Sequence, residues 1–184
     1  MNQERIYHLL YLIRRAEEEV VRIYPSDKIK SPVHLSIGQE AVSVGVCQAL
    51  QAEDVVFGTY RSHALYLAKT GDLKGFFAEL YGKATGCAKG KGGSMHLANV
   101  SKGMMGTSAV VGTTIPQAVG YAYAVKQRGE KTVVVPVSDT YKKIYARLKK
   151  EFGDSLEPYL NSASHLNAVQ VGNIVGWFEW STLI

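Results

Sequence analysis

The sequence predicts an α/β layered protein in which helices surround a mostly parallel sheet. Amphipathic helical patterns recur along the chain, and short β-rich runs fall between them. Glycine, proline and polar turns separate the two kinds of segment. The 184 residues are 46% hydrophobic and 20% charged, which is typical of a globular protein with room for a substantial core.

Helical patterns dominate the first eighty or so residues. Residues 3–24 repeat apolar side chains at helical spacing, and Pro25 ends that helix. The run DVVFGT is short and β-rich, as expected of a strand. The predicted elements after Pro25 are, in order, a helix at 38–50, this strand at 54–59, and helices at 62–69 and 73–81.

Residues 82–112 differ in character and predict a functional loop. They are rich in glycine and too long for a simple turn between two well-patterned helices. Backbone amides without side-chain bulk can wrap a phosphate, and four lysines with no acidic residue between them add positive charge. Those lysines are Lys83, Lys89, Lys91 and Lys102. The spacing fits neither a P-loop nor a dinucleotide-binding turn, so a small anionic ligand and a solvated loop stay open as alternatives.

Helix and strand patterns return after this stretch. The predicted elements are a helix at 115–127, a strand at 132–137 and a helix at 141–152. Pro116 in the first turn and Gly129 after the last turn are typical of the start and the end of a helix, and they bound the first of these helices. The run TVVVPV suits a buried parallel strand, in which Pro136 removes one ladder hydrogen bond.

Composition and charge argue against several classes of protein. The chain has no run of about 18 apolar residues and no signal-peptide pattern, so we expect no membrane segment and a cytoplasmic, bacterial-type protein. Cys47 and Cys87 flank no CxxC or histidine pair, which predicts two reduced, partly buried thiols. The net charge of +5 leaves nucleic-acid binding as an alternative, but lysines on the 141–152 helix are typical of a solvated face.

Four strings carry a specific resemblance. They are GQEAVSVG, TYRSHALYLAKTGDL, FFAELYGKATGCAKGKGGSMHL and VVGTTIPQAVGYAYA. In this order and at these separations they resemble the alpha subunit of thiamine-diphosphate-dependent 2-oxo acid dehydrogenases of the pyruvate, branched-chain and acetoin type. The resemblance covers most of residues 5–135, and implies a partial thiamine-diphosphate-binding fold whose C-terminal part is divergent or truncated. Residues 1–135 are therefore predicted as the family-like part, and residues 136–184 as a segment without a family match.

The resemblance also implies a reaction and partners. This family carries out oxidative decarboxylation of a 2-oxo acid with thiamine diphosphate and Mg²⁺, and passes the acyl group to a lipoyl acyltransferase component. A beta subunit supplies the glutamate that activates the cofactor. Gly120, Ala122 and Ala124 predict a small-residue helix face suited to close packing, either at a subunit interface or in the core. Self-association of alpha subunits is a further partner that we expect. The resemblance does not choose between pyruvate, a branched-chain 2-oxo acid and acetoin as the substrate.

Five residues acquire site roles through the resemblance. Tyr60 and Arg61 correspond to residues that reach the cofactor diphosphate, and an arginine fork suits phosphate oxygens. His34 corresponds to the histidine close to the reacting centre. The backbone around Ala109 and Val111 corresponds to the part that grips the aminopyrimidine ring. His63 and His96 also fall in matching strings, where structural roles are expected, with His96 ordering the loop.

The metal motif is altered. Family members carry Gly-Asp-Gly after a strand, where this chain has Ser138-Asp139-Thr140. Asp139 is retained as the candidate Mg²⁺ ligand, with Asn167 or Asn173 as a second, but both glycines are lost. Two hypotheses follow: an alpha subunit of an active dehydrogenase, or a truncated or pseudo-enzyme product that binds partner subunits without catalysis.

Overall fold

The computed structural model describes residues 3–137 of the chain. The helix predicted at 141–152, the 153–184 tail, Asp139 and both candidate asparagines lie outside the described residues. The helices are α1 (Gln3–Ile23), α2 (Glu40–Ala49), α3 (His63–Thr70), α4 (Leu73–Leu80) and α5 (Thr114–Gln127). The strands are β1 (Val55–Thr59), β2 (Met104–Ser108) and β3 (Val134–Val137). The predicted helices and two predicted strands within this range are confirmed, with ends shifted by no more than two residues.

The three strands form a parallel sheet in the order β2-β1-β3. Thr59 pairs with Ser108, and Gly58 pairs with Val137, so all three strands end at the same side of the sheet. Pro136 lies opposite Phe57 in the β1–β3 pair. The prediction of helices around a parallel sheet is confirmed.

Strand β2 was not predicted, because its residues lie within the stretch taken as a loop. Its sequence, MMGTS, has a glycine in the middle and only one β-branched residue, so it carries little local preference for a strand. Tertiary contacts supply what the local sequence lacks. Met104 is fully buried, and the Val56 amide donates to the carbonyl of Gly103 at 2.8 Å. Burial and a ready partner strand outweigh weak propensity here.

Helices cover both faces of the sheet. Val56 on β1 belongs to a core cluster packed by α1, α2, α3 and α4. Its neighbours Val55 and Phe57 belong to a second cluster with Ala118 and Val125 of α5. This division follows from the two-residue period of a strand, which points successive side chains to opposite faces. The central strand is therefore buried on both sides, which explains its continuous apolar sequence.

Two further expectations bear on the fold. Cys47 and Cys87 are both free and half-buried, as predicted. Burial raises the pKa of Cys47 to about 11 and also raises that of Cys87, so both thiols stay protonated near neutral pH. Among residues 3–137, no helix combines the length and the apolar character needed to cross a bilayer.

Candidate functional site

The carboxyl ends of β1 and β2 bring most of the predicted site residues together. Because Thr59 and Ser108 are paired, Tyr60 and Arg61 leave the sheet beside the turn that contains Ala109 and Val111. Ligands of parallel α/β sheets bind at this end of the strands. We call the group formed by His34, Tyr60, Arg61, Ala109 and Val111 the strand-end site. Sequence reasoning named these residues individually. Strand register brings Tyr60 and Arg61 beside Ala109 and Val111, and a ring contact brings His34 beside Tyr60.

Arg61 is held by its surroundings in the strand-end site. Its Nη1 donates a hydrogen bond to the carbonyl of Leu35 at 2.6 Å. Its guanidinium carbon lies 6.0 Å from the centroid of the Tyr60 ring, at the limit of a cation–π contact. Arg61 is half-buried, which limits the entropy it loses when it meets an anion. A positive charge with a planar set of donors is therefore oriented at the end of β1.

His34 lies against Tyr60, with ring centroids 4.7 Å apart and ring planes at 65°. Its Nδ1 atom is buried and has no hydrogen-bond partner among the residues that the structure describes. A buried polar atom without a partner costs about 1–3 kcal/mol, which is why such atoms call for an explanation. A nitrogen in this state beside the end of β1 is suited to hydrogen-bond a bound molecule.

The turn between β2 and α5 exposes two valines. The Val110 amide donates to Ser108 Oγ at 3.1 Å, and the Val110 carbonyl accepts from Thr113 Oγ1 at 2.8 Å. These bonds fix the backbone, yet Val110 is 63% exposed and Val111 is 71% exposed. An apolar contact to a ligand or to another chain is available at Val111. Its assignment to a cofactor ring stays a prediction.

The glycine-rich segment, which we define as residues 82–103, holds an anion that belongs to the chain itself. The carboxylate of Glu79 on α4 is 1% exposed. It accepts hydrogen bonds from four amides of this segment: Ala88 at 2.7 Å, Gly90 at 2.9 Å, Gly92 at 2.7 Å and Gly93 at 3.1 Å. These amides form the anion cradle that the glycine content suggests, but Glu79 occupies it. Of the alternatives left open for this stretch, an external anion at these four amides is disfavoured, because Glu79 already accepts their hydrogen bonds.

Charge and backbone geometry agree on this arrangement. Burial acts to raise the pKa of Glu79, but the four amide donors outweigh it, so the pKa lies below its ordinary value. The glycines allow the close approach. A Cβ on Gly86 would lie 2.6 Å from Glu79 Cα, and a Cβ on Gly92 would lie 2.1 Å from the carbonyl oxygen of His96. Larger residues at these two positions would push the segment off the carboxylate.

A second buried contact fixes the glycine-rich segment through His63. The His63 ring bonds to Glu17 Oε1 at 2.5 Å through Nδ1 and to Ser94 Oγ at 2.7 Å through Nε2. The structural role expected of His63 is thus confirmed. His96 is exposed, so the ordering of the loop that was expected of His96 belongs to His63.

Sequence reasoning missed Glu17, Ser94 and Glu79. A signal for Glu17 was present, because it lies four residues after Ile13 and three before Val20, on the apolar stripe of α1. Glu79 likewise lies three residues after Phe76, on the buried face of α4. A carboxylate at an apolar helix position needs a buried partner, and neither partner is close in sequence.

The structure corrects the small-residue face predicted on α5, whereas the predicted Mg²⁺ ligand lies outside the described residues. Gly120, Ala122 and Ala124 do not share one face, since Gly120 is exposed while Ala122 packs in the α5 core cluster. Successive residues of a helix differ by about 100°, so positions two apart point in nearly opposite directions. Among residues 3–137, no three His, Cys, Asp or Glu side chains are placed to hold a metal ion. The Mg²⁺ ligand Asp139 stays a prediction.

Comparison with known proteins matches the predicted resemblance. A family model described as dehydrogenase E1 component matches residues 9–138. The chain is 42% identical over 130 residues to the alpha subunit of acetoin:2,6-dichlorophenolindophenol oxidoreductase from Bacillus subtilis, covering 71% of this chain and 39% of that protein. It is 41% identical over 121 residues to a pyruvate dehydrogenase E1 component subunit alpha-1 from Oryza sativa, covering 66% and 31% respectively.

A third relative gives the same result. The chain is 41% identical over 124 residues to the pyruvate dehydrogenase E1 component subunit alpha of Rickettsia bellii, covering 67% of this chain and 38% of that protein. The chain thus spans less than two fifths of the length of these curated relatives. The resemblance to such alpha subunits is confirmed for the matched part.

Proposed function

Because this chain belongs to the dehydrogenase E1 component family, we propose that it acts within a thiamine-diphosphate-dependent 2-oxo acid dehydrogenase as its alpha subunit or as a fragment of that subunit. The observation that carries the proposal is the strand-end site. There, an oriented arginine and a buried histidine nitrogen without a partner meet at the carboxyl ends of parallel strands. This is the part of an α/β sheet where ligands bind.

Arg61 and Tyr60 are proposed to bind the diphosphate. The guanidinium is permanently charged and its planar donors match phosphate oxygens in pairs. The bond to Leu35 and the contact with the Tyr60 ring orient it before a ligand arrives, which lowers the entropy lost on binding. The residues present therefore fit the negatively charged end of thiamine diphosphate.

His34 is proposed to act next to the reacting atoms. Thiamine diphosphate, when bound, supplies the electron sink for decarboxylation. Nδ1 of His34 is the ring nitrogen that has no partner among the described residues, so it is available to bind the substrate or to hold a proton there.

The backbone after β2 is proposed to receive the aminopyrimidine end. Ala109 is half-buried and Val111 is exposed, so main-chain groups and one apolar side chain are available beside Arg61. Mg²⁺ is proposed to lie at Asp139, which follows the end of β3 by two residues. Magnesium prefers carboxylate and neutral oxygen ligands in octahedral geometry, so a loop without the family's glycines would bind it weakly.

The partners proposed are a beta subunit, a second alpha subunit and a lipoyl acyltransferase component. Exposed apolar side chains on the β2–α5 turn and along α5 support contacts with another chain. Val110, Val111, Val119 and Tyr123 are between 45% and 71% exposed. The names of the relatives include both pyruvate and acetoin enzymes, so the substrate is proposed as a 2-oxo acid or acetoin.

The alternative is a product that binds partner subunits without catalysis. It is supported by the loss of both glycines around Asp139. In that case the strand-end site and the exposed valines persist, but turnover does not occur.

Calorimetry with thiamine diphosphate distinguishes these proposals. The 184-residue chain is titrated with and without Mg²⁺, alone and co-expressed with a beta subunit. Arg61→Ala is the test variant, and Arg22→Ala is the control, because Arg22 is exposed and pairs with Glu19 on α1. Metal-dependent binding that Arg61→Ala weakens by about 10-fold or more, and that Arg22→Ala leaves unchanged, supports the cofactor site. Absence of metal-dependent binding, both for the chain alone and with the beta subunit, overturns the cofactor site. The preparation with the beta subunit is also assayed for reduction of an electron-accepting dye with pyruvate, branched-chain oxo acids or acetoin as substrate. Cofactor binding without dye reduction favours the non-catalytic product.

A further inference from the structure

A continuous set of buried hydrogen bonds joins four segments of the chain. Glu17 of α1 and Ser94 of the glycine-rich segment bond to the two ring nitrogens of His63 at 2.5 and 2.7 Å. The other oxygen of Glu17 accepts from the backbone amide of Ser36. The backbone amide of Ser94 donates to Ser31 Oγ at 3.0 Å.

Burial excludes a reactive role for this set. His63 and Glu17 are 0% exposed, and Ser94 is 1% exposed. The order serine, histidine, carboxylate is that of hydrolytic triads, but a nucleophile must reach its substrate. A serine without access to solvent cannot do so. The set therefore acts on the position of other groups.

One arrangement of protons, with Glu17 ionised and His63 neutral, satisfies every bond of the set. An ionised carboxylate only accepts hydrogen bonds, so His63 Nδ1–H donates to Glu17. In a neutral imidazole the other nitrogen then accepts, and Ser94 Oγ–H donates to Nε2. Glu17 receives a second donor, the Ser36 amide, on its remaining oxygen. Every ring nitrogen and both carboxylate oxygens thus have a partner, as a buried polar network requires.

The two ends of this set bracket His34. Ser31 is held by Ser94, and Ser36 is held by Glu17, so the segment 31–36 is attached at both ends to groups that meet at His63. His34 lies in the middle of that segment. Between the anchors, the Leu35 carbonyl accepts the bond from Arg61.

We propose that His63 is a positioning residue that sets the place of the His34 ring through Ser94 and Glu17. The consequence for catalysis rests on the function proposed above, whereas the mechanical coupling does not. If the His63–Ser94 bond is lost, Ser94 is no longer tied to His63, so its amide holds Ser31 less firmly and the His34 ring moves relative to Tyr60. A misplacement of about 1 Å in a reacting group lowers turnover by about 100-fold.

Ser94→Ala in the full chain is the test, because it removes one hydroxyl without adding volume. Ser101→Ala is the matched control, since Ser101 lies in the same segment but is exposed, and its hydroxyl donates to Asn99 Oδ1 at 2.9 Å. Histidine-selective labelling gives ring signals for five histidines, of which His34 is assigned by a His34→Gln variant. Amide hydrogen exchange is followed over residues 31–36 and 82–103.

The expected result has two parts that do not need a cofactor. Ser94→Ala shifts the ring signal of His34 and speeds exchange across 31–36 by about 10-fold or more, as expected when a buried anchor is released. Ser101→Ala does neither. Faster exchange confined to 82–103, with the His34 signal unmoved, overturns the proposal. If Ser94→Ala does not fold, Ser31→Ala removes the neighbouring bond of the same set and is read by the same two measurements.

A third expected result concerns the rate of turnover. In a preparation that binds thiamine diphosphate, Ser94→Ala is expected to lower kcat by about 10-fold to 100-fold with a much smaller change in cofactor Kd. An unchanged kcat with a shifted His34 signal overturns the catalytic part of the proposal alone. Lack of cofactor binding by the unaltered chain would instead count against the proposed function, and leaves the exchange and signal measurements valid.

Discussion

The glycine-rich segment and the strand-end site carry opposite kinds of anion site. In the first, four backbone amides converge on Glu79, a carboxylate of the same chain, and no open donor set remains at those amides. In the second, an arginine is oriented at the end of a strand beside a histidine nitrogen with no partner among the described residues. The first stabilises the fold, and the second is suited to a ligand.

The difference shows that glycine content alone does not identify a ligand site. Glycines let backbone amides converge on a negative charge, but they do not specify whether that charge comes from a ligand or from the chain. Glu79 provides the internal charge here. Its place on the buried face of α4 leaves it dependent on those amides, because an ionised carboxylate is costly to bury without partners.

The largest effect is expected from Glu79→Ala. The change leaves four amides without their acceptor, and a hydrogen bond to a charged group contributes about 1.5–3 kcal/mol. Since these contributions are not additive, we expect the free energy of unfolding to fall by about 4 kcal/mol. Urea unfolding measures the change. Glu18→Ala on the exposed side of α1 is the control, with an expected loss below about 1 kcal/mol, and a similar loss in both variants would contradict the internal role of Glu79.

The next effect concerns the strand-end site. Arg61→Ala is expected to weaken thiamine diphosphate binding by about 10-fold to 100-fold, because a charge-assisted contact to phosphate is lost. Arg61→Lys keeps the charge but not the paired donors, so its Kd for thiamine diphosphate should lie between those of the unaltered protein and Arg61→Ala. Calorimetry gives the Kd. Thermal unfolding checks that Arg61→Ala does not weaken binding merely by destabilising the fold through loss of the bond to Leu35. Equal binding by Arg61→Ala and unaltered protein would remove Arg61 from the site.

A smaller effect on the free energy of unfolding is expected when the pH is lowered. The pKa of Glu79 is lower in the folded protein than in the unfolded chain, so its ionised form favours folding. This contribution is fully present above the unfolded carboxyl pKa of about 4.3 and is lost as the pH falls through the lower folded value. The difference in unfolding free energy between the unaltered chain and Glu79→Gln should therefore shrink below about pH 4. A difference that stays constant from neutral pH to acid would show that the charge of Glu79 contributes nothing.

The smallest effect tests the backbone of the glycine-rich segment. Lys89 has a φ of 59°, a left-handed conformation that costs an L-residue about 1–2 kcal/mol. Lys89→Gly should stabilise the chain by about 0.5–1 kcal/mol, since the greater freedom of unfolded glycine offsets part of the relief. Lys83→Gly is the control, because Lys83 is exposed but has no positive φ, and it should be neutral or destabilising. A gain in both variants would point to charge removal instead of backbone relief.

Much of the fold could be predicted because its signals are local. The apolar stripe of α1 and its stop at Pro25 are visible in consecutive residues, as is the buried run of β1. Strand β2 could not be predicted in the same way, because Met104 and Gly106 have weak strand preference and their partners on β1 lie far away in the sequence. The candidate residues Tyr60 and Arg61 were identified from a motif, whereas Ser94 and Glu17 depend on a contact with His63 across 31 and 46 residues of sequence.

The sequence by itself determined the family, the α/β class and the identity of the residues proposed to meet a cofactor, since all of these are written in local patterns and ordered motifs. Only the tertiary structure decided which groups are neighbours. It placed Arg61 beside the β2–α5 turn through strand register, and it filled the glycine-rich cradle with Glu79. The physical reason is that partners of buried charges are chosen by packing in three dimensions, and a carboxylate and its donors carry no shared signal along the chain.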